Sequence, residues 1–237
     1  MKPSYRKEGN GTKKLILQRP MSETFPVGAL LAVVGGYLDV YTYIARGGIF
    51  ANAQTGNIVL LGVSLADGNL MKALSYLISI AAFVLGVFTA ELIHKLETKI
   101  PLHWRQLIIA LEMIVVLIAA FLPVSDNVYY SYNMLCNVVI SYICSLQVQT
   151  FRVIHGITCA TTMCTGNLRS GTDYLMRYHT SKNKTDLKNG LKYYLIILFF
   201  FLGAVISVFL TRAFGSFSVI FCLIPLLIVF ILMFIRK

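Results

Sequence analysis

The sequence predicts an all-α polytopic membrane protein with six transmembrane helices, arranged as two inverted three-helix repeats. Each repeat is expected to contain one re-entrant or broken segment that carries the tripeptide Thr-Gly-Asn (TGN). Three observations predict this fold: a very apolar composition, six long apolar windows, and two halves of related sequence. The chain of 237 residues is 57% hydrophobic and only 13% charged, with a mean hydropathy of +0.73. Soluble domains carry about 25% charged residues.

The apolar windows account for most of the chain. At roughly 20 residues each, they are long enough to cross a hydrocarbon core of about 30 Å. Helices are the expected form because they satisfy their own backbone groups in lipid. We predict a cytoplasmic basic tail over residues 1–25 and a single membrane domain over 26–236. The windows are residues 27–45, 73–93, 107–124, 128–151, 193–211 and 217–235.

The two halves of the chain repeat a common pattern. Residues 36–57 read GYLDVYTYIARGGIFANAQTGN, and residues 144–167 read CSLQVQTFRVIHGITCATTMCTGN. Internal repeats of this kind are typical of membrane transport folds. We therefore predict repeat one over residues 26–124 and repeat two over residues 128–236. The aligned groups are Thr55-Gly56-Asn57 with Thr165-Gly166-Asn167, and Phe83-x-Leu85-Gly86 with Phe200-x-Leu202-Gly203.

Positive charges favour six spans over eight. Lys and Arg accumulate on the cytoplasmic side of membrane proteins, and the chain has a net charge of +11. Six spans with a cytoplasmic N-terminus place every Lys and Arg inside except Arg46, Lys72 and Arg212. Eight spans, the alternative, would put more of them outside. With three spans in each half, the second half is inverted relative to the first, and both termini are cytoplasmic.

Two further segments, residues 50–66 and 158–177, each contain a TGN tripeptide. Each segment either crosses the membrane or dips into it and returns to the same side. In the second segment, Arg169, Asp173 and Arg177 would each cost about 2.5–3.5 kcal/mol at mid-membrane. The first segment is more apolar, and both readings stay open for it. In an inverted repeat, such segments meet near the midplane.

The TGN tripeptides are the first candidates for a binding site. Thr and Asn can cap a half-helix, and Gly permits a tight bend. The N-terminus of a half-helix presents free N–H groups and a partial positive charge. Alternatively, these residues only bond exposed backbone at the bends. The candidates are Asn52, Thr55, Gly56, Asn57, Thr165, Gly166 and Asn167.

Two acidic residues lie inside apolar windows. Charged groups in the membrane usually face the bundle interior and often handle protons or cations. Asp39 is one candidate; its alternative is a structural carboxyl, or one that reaches Arg46. Glu112 is the other, with a structural contact to a neighbouring polar side chain as its alternative. Gln147 aligns with Asp39 and keeps its polarity without the charge, and it is also a candidate for the pathway.

Several other functions are not expected. The five cysteines lie in or beside apolar windows without a CxxC pair, which indicates buried small side chains rather than a metal site. No HExxH, Walker or nucleophile-elbow motif is present, so we expect no catalytic residues, no metal and no cofactor. The positive-inside rule accounts for the basic charge, and nucleic acid is not expected as a partner.

The resulting functional hypothesis is a transporter or channel for a small polar solute or ion. Transport would be passive or coupled to protons or cations, because the loops are too short for an ATPase domain. The alternative is a non-transporting membrane scaffold or a stress-linked assembly partner. In either case the lipid bilayer surrounds the protein.

The sequence resembles the YoaK-like family of bacterial integral membrane proteins, a domain of unknown function. The first motif consists of Gly36, Asp39, Phe50, Asn52 and residues 55–57, and the second of Gln147 with residues 165–167. The resemblance covers about residues 25–235. It implies a multi-pass protein of the bacterial cell (inner or plasma) membrane, and it brings no known activity.

Overall fold

The computed structural model of the chain describes residues 4–7, 13–16, 21–95, 104–124 and 132–234. Parts of the predicted tail and residues 96–103, 125–131 and 235–237 lie outside these described residues. The helices are α1 Phe25–Ala45, α2 Gln54–Ala66, α3 Leu70–Lys95, α4 Trp104–Phe121, α5 Tyr132–Thr150, α6 Cys164–Ser181, α7 Lys184–Phe214 and α8 Leu223–Leu232. Met21–Glu23 and Gly215–Cys222 form 3-10 helices.

Two short antiparallel hairpins accompany the helices. β1 (Ser4–Lys7) pairs with β2 (Lys13–Ile16), and β3 (Val153–Ile154) pairs with β4 (Ile157–Thr158). The helices otherwise dominate the described residues, which confirms the predicted all-helical class.

Four stretches of the described residues are long and apolar enough to cross a membrane: α1, α3, α4 and the run Lys184–Leu232. That run contains α7, the second 3-10 helix and α8. Helix α5 fills most of the window 128–151, but it carries too many polar residues to count among the four. Its buried polar side chains are Asn133, Asn137, Ser141, Ser145, Gln147 and Thr150.

Large apolar side chains cover the outside of the bundle. In a soluble protein such extended apolar patches mark interaction surfaces, whereas in lipid they face the hydrocarbon. The pattern agrees with a membrane-embedded fold. The exposed side chains include Leu77, Val84 and Phe88 of α3, Phe201, Ile206 and Phe209 of α7, and Ile224, Leu227 and Ile231 of α8.

The helices pack in pairs that correspond between the two halves. Helix α1 packs against α7, and α3 packs against α5. Helix α2 lies on α3, and α6 lies on α7; α4 contacts α5, and α8 contacts α1. If α1, α2, α3 and α4 are exchanged with α5, α6, α7 and α8, respectively, each of these pairs becomes another pair of the same set. For example, the pair of α2 and α3 becomes the pair of α6 and α7.

Glycines permit close helix crossings at two places. A Cβ atom at Gly36 would overlap the carbonyl of Phe200, and one at Gly203 would overlap the carbonyl of Val33. At the crossing of α3 and α5, a Cβ atom at Gly86 would overlap Ser145 and the carbonyl of Tyr142. Small residues allow helix backbones to approach closely in this way.

Contacts between helix termini define two ends of the bundle. At the first end, Arg105 at the start of α4 bonds Glu23 ahead of α1 at 3.0 Å. The Gln106 side chain there donates to the Met233 carbonyl, just after α8, at 3.3 Å. At the second end, Arg46 directly after α1 donates to the Ala119 carbonyl in the last turn of α4 at 2.9 Å.

Candidate functional site

A cavity of about 380 Å³ lies where the first turns of α2 and α6 meet. Its wall combines residues of both repeats: the middle of α1, the segments that lead into α2 and α6, and one phenylalanine each from α3 and α7. The lining residues are Gly36, Asp39, Val40, Phe50, Asn52, Ala53, Gln54, Thr55, Phe83, Thr162, Met163, Cys164, Thr165, Gly166 and Phe200.

Some of the residues predicted from sequence line the cavity, and the others do not. Asp39, Asn52, Thr55, Thr165 and Gly166 line it. The remaining predicted residues lie outside the lining, in the supporting structure, and they are Gly56, Asn57, Glu112, Gln147 and Asn167.

The two TGN asparagines fix the backbone that leads into each short helix. The Asn57 side-chain nitrogen donates to the Phe50 carbonyl at 2.8 Å, and its oxygen accepts from the Phe50 N–H at 2.9 Å. In the second half, the Asn167 nitrogen donates to the Ala160 carbonyl at 2.6 Å. Both asparagines are buried. These contacts match the alternative in which the asparagines satisfy backbone groups at the bends.

Asp39 holds the segment ahead of α2. Its Oδ1 accepts hydrogen bonds from the backbone N–H groups of Asn52 at 2.6 Å and Ala53 at 3.3 Å. The carboxyl is 4% exposed, and it lies beside the N-terminal end of α2, where the helix dipole favours a negative charge. Asp39 therefore positions α2 and also contributes to the cavity wall.

Arg46 does not pair with Asp39 but caps the C-terminus of α4. Its guanidinium donates to the carbonyls of Ala119, Leu122 and Pro123, each at 2.9 Å, and to the Tyr41 hydroxyl at 2.9 Å. The side chain is almost fully buried. The last carbonyls of a helix lack intrahelical donors, and the guanidinium supplies them.

Glu112 is fully buried and contacts Gln147. With the Gln147 amide nitrogen turned toward α4, it donates to the two carboxylate oxygens at 2.7 and 3.1 Å. With the amide turned the other way, it donates to the Leu31 carbonyl and the Thr161 hydroxyl, each at 3.3 Å. The first orientation gives the shorter bonds and satisfies a buried carboxylate. Gln147 thus connects α4 with the segment ahead of α6.

Two buried polar atoms in the cavity wall have no hydrogen-bond partner: the Asn52 side-chain oxygen and the Thr162 hydroxyl. Each belongs to the third residue before a TGN tripeptide. Asn52 is among the site residues predicted from sequence, and Thr162 is not. The repeat alignment was the signal that links the two positions.

Three phenylalanines form the apolar wall: Phe50, Phe83 and Phe200. Phe50 stacks on Tyr43 with a ring-centroid distance of 4.7 Å. Phe83 and Phe200 are the aligned members of the repeated Phe-x-Leu-Gly group, but sequence reasoning did not select them. Each lies among other apolar residues in the sequence, and only the packing of the helices brings the two side chains to the cavity.

Among the described residues, no group of three or more His, Cys, Asp or Glu side chains is arranged to hold a metal ion. The cysteines are free thiols: Cys136, Cys144, Cys159 and Cys222 are buried, and Cys164 in the cavity wall is partly exposed.

A second cavity of about 370 Å³ lies at the first end of the bundle, between the end of α3, the start of α4 and the loop after α5. It is more polar than the first. Its lining includes Glu91, which accepts a hydrogen bond from Gln149, together with His94, Arg105 and Arg152.

Comparison with known proteins agrees with the resemblance seen in the sequence. The family described as "Protein of unknown function (DUF1275)" matches residues 27–232. The chain is 27% identical over 188 residues to the UPF0700 transmembrane protein YoaK of Bacillus subtilis (strain 168), covering 75% of this chain and 80% of that relative. No solved structure matches. The match over most of its length shows that the chain belongs to the DUF1275 family of proteins of unknown function.

Proposed function

We propose that the protein is a membrane transporter or channel that passes a small polar solute or ion through the cavity between α2 and α6. One observation carries the proposal: the first turns of two short helices, one from each repeat, meet at a single cavity that contains Asp39. Ligand pockets are typically apolar with a few convergent polar groups, and this lining has that composition.

The directions of the short helices support an inverted repeat. Helix α2 starts at the cavity and ends next to the start of α3, where Asn69 donates to the Ser64 carbonyl at 2.8 Å. Helix α6 starts at the same cavity and ends next to the start of α7. Because α3 and α7 start at opposite ends of the bundle, the two short helices leave the cavity in opposite directions.

The division of the last apolar run supports six spans. Gly215 ends α7 with a φ of +59°, a value that favours glycine. The chain then returns: Ser216 and Ser218 bond tyrosines of α1 at the second end, and Met233 bonds Gln106 at the first. Helices α7 and α8 are therefore taken as two separate crossings.

From the distribution of basic residues, we assign the first end to the cytoplasm. Lys182 follows α6, and Lys184 and Lys188 lie in the first turns of α7 at the first end, whereas the second end holds Arg46, Lys72 and Arg212. By the positive-inside rule, the first end and both termini face the cytoplasm of a bacterial cell membrane. The proposal assigns no catalytic chemistry and no cofactor, and transport is passive or coupled to protons or cations.

The native Cys164 provides a direct test. The purified protein would be reconstituted in liposomes, and the uptake of a panel of small ions and polar solutes would be measured. A thiol reagent that adds a bulky group should inhibit uptake by modifying Cys164 in the cavity wall. The matched variant Cys164→Ser should transport normally and resist the reagent.

Two results would contradict the proposal. One is the absence of uptake across the whole panel, which would favour the alternative of a non-transporting scaffold. The other is equal inhibition of the wild type and Cys164→Ser, which would move the pathway away from this cavity.

A further inference from the structure

We propose that the cavity between α2 and α6 binds a small zwitterion with an apolar body, with its cationic group at Asp39 and its anionic group at the first turn of α6. The inference rests on the proposed function for its transport role, but binding to the purified protein tests it separately.

The two helix N-termini at the cavity differ in charge. The N-terminal end of α2 has the Asp39 carboxyl beside it, bonded to the N–H groups of Asn52 and Ala53. At the start of α6, the residue in the capping position is Met163, whose side chain makes no capping bond. In place of Asp39, the second repeat has the neutral Gln147. The positive end of α6 therefore has no anionic residue of its own repeat to balance it.

The two N-termini also differ in access. A Cβ atom at Gly56 in α2 would meet the ring of Phe50 at 2.9 Å, whereas one at Gly166 in α6 would meet no atom within 4 Å. The first N–H groups of a helix have no intrahelical acceptor, and they bind carboxylates and other anions. The first turn of α6 is thus both positively polarised and open toward the cavity.

The unpartnered polar atoms fit the two poles of such a ligand. The Asn52 oxygen is an acceptor on the segment that Asp39 holds, so it suits an ammonium group. The Thr162 hydroxyl lies just ahead of α6 and can donate to a carboxylate. Both side chains are at least 96% buried and lack a partner, and an unmade buried hydrogen bond costs about 1–3 kcal/mol. The proposed ligand would supply both missing partners after a small turn of each side chain exposes its buried polar atom to the cavity.

Asp39 is the single charged side chain among the lining residues. An ionised carboxylate accepts about four hydrogen bonds, so the bonds from the backbone leave capacity for a ligand's ammonium group. A lone anion would be repelled by Asp39, and a lone cation would face the positive end of α6. A zwitterion satisfies both ends at the same time.

The rest of the cavity wall is apolar and would contact the apolar body of the ligand. Phe50, Phe83, Phe200, Val40 and Met163 line the cavity, and aromatic faces attract organic cations as well as apolar groups. At about 380 Å³, the cavity is in the range of small-molecule sites. Amino acids with apolar side chains have this size and this chemistry.

The test compares three probes of one shape: L-leucine, 4-methylpentanoate, which lacks the ammonium, and isoamylamine, which lacks the carboxylate. Binding to the detergent-purified protein would be measured by equilibrium dialysis, and glycine, valine and phenylalanine, each beside its own deaminated and decarboxylated analogues, would be added to cover a range of sizes. We expect at least one zwitterion of the series to bind at least tenfold more tightly than its two truncated analogues. Equal binding of an analogue, or no binding of any zwitterion, would overturn the inference.

Two variants test which residues bind the ammonium group and which bind the carboxylate group of the ligand. Asp39→Asn should remove the preference for the zwitterion over the carboxylate analogue, while Asp67→Asn, an exposed residue after α2 with the same charge change, should leave it intact. Because Asp39 also holds the backbone ahead of α2, a second variant is needed. Thr162→Val keeps the shape of the side chain and should weaken binding of the zwitterion and the carboxylate analogue, but not of the amine. Unchanged selectivity in both variants would contradict the assignment.

The binding and uptake measurements separate this inference from the transport proposal. Binding of a zwitterion without its uptake would support the binding site and contradict the transport proposal. Uptake of other solutes without zwitterion binding would support the transport proposal and contradict the zwitterion site.

Discussion

Asn57 and Asn167 make the same hydrogen bond in the two halves of the chain: each side-chain nitrogen donates to the carbonyl of the residue seven positions earlier. The acceptors are Phe50 at 2.8 Å and Ala160 at 2.6 Å. Each bond closes the irregular segment ahead of a short helix, so the asparagine of each TGN tripeptide determines where its helix begins.

Replacing these asparagines should destabilise the fold. Asn57→Ala and Asn167→Ala each leave buried backbone groups without partners, at about 1–3 kcal/mol for each group. Asn57→Ala should cost more, because Asn57 also accepts from the Phe50 N–H and donates to the Gln54 side chain. Thermal unfolding in detergent measures both. The control is Asn189→Ala, on the less buried first part of α7, and equal effects at all three sites would refute the assignment.

The buried Arg46 should be among the most sensitive positions. Arg46→Met removes the donor to one carbonyl in the last turn of α4 and to two carbonyls just after it, and we expect the free energy of unfolding to fall by about 3 kcal/mol or more. Arg46→Lys should restore only part of it, because an ammonium lacks the planar fork of a guanidinium. Chemical unfolding in detergent gives these values. Arg212→Met, at an exposed site of the same end, is the control and should change stability little.

The crossing of α1 and α7 should not accept even a methyl group. Gly36→Ala and Gly203→Ala each place a Cβ atom against a backbone carbonyl, and overpacking of this kind costs about 1–3 kcal/mol. Gly62→Ala in α2 meets no atom within 4 Å, and it should be neutral or stabilise by about 0.5–1 kcal/mol. Melting temperatures of the three variants test this, and a tolerant Gly203 would argue against the tight crossing.

Glu112 and Gln147 should be energetically coupled. Gln147→Leu leaves a buried carboxyl without its donor, whereas the double variant Glu112→Leu/Gln147→Leu replaces both partners with apolar groups. Removing both partners is less costly than removing one. We expect a coupling energy of about 1–3 kcal/mol in a double-mutant cycle of unfolding free energies. Strictly additive effects would mean that the two side chains do not interact.

Much of the helical framework could be predicted because lipid restricts the options. The apolar windows correspond to helices in the described residues, and the two TGN tripeptides lie in the first turns of α2 and α6. Thr55 and Thr165 were selected on the ground that a broken segment places polar groups at a helix start, and both line the cavity.

The supporting contacts could not be predicted, because they depend on which helices cross. Phe83 and Phe200 lie in apolar windows, and the repeated Phe-x-Leu-Gly group that aligns them does not indicate that they line a cavity. Arg46 was counted as an outer loop residue, since its acceptors lie 73 to 77 residues further along the chain. Glu112 was expected to face inward, but its partner Gln147 follows only from the packing of α4 on α5.

The distance in sequence between Arg46 and its acceptors has a consequence for biosynthesis. The ribosome finishes the first helix well before Ala119, Leu122 and Pro123 are made. Until the fourth helix arrives, the guanidinium has to remain with water, lipid headgroups or the insertion machinery. The first helix therefore lacks these buried contacts during translation until the fourth helix has been made.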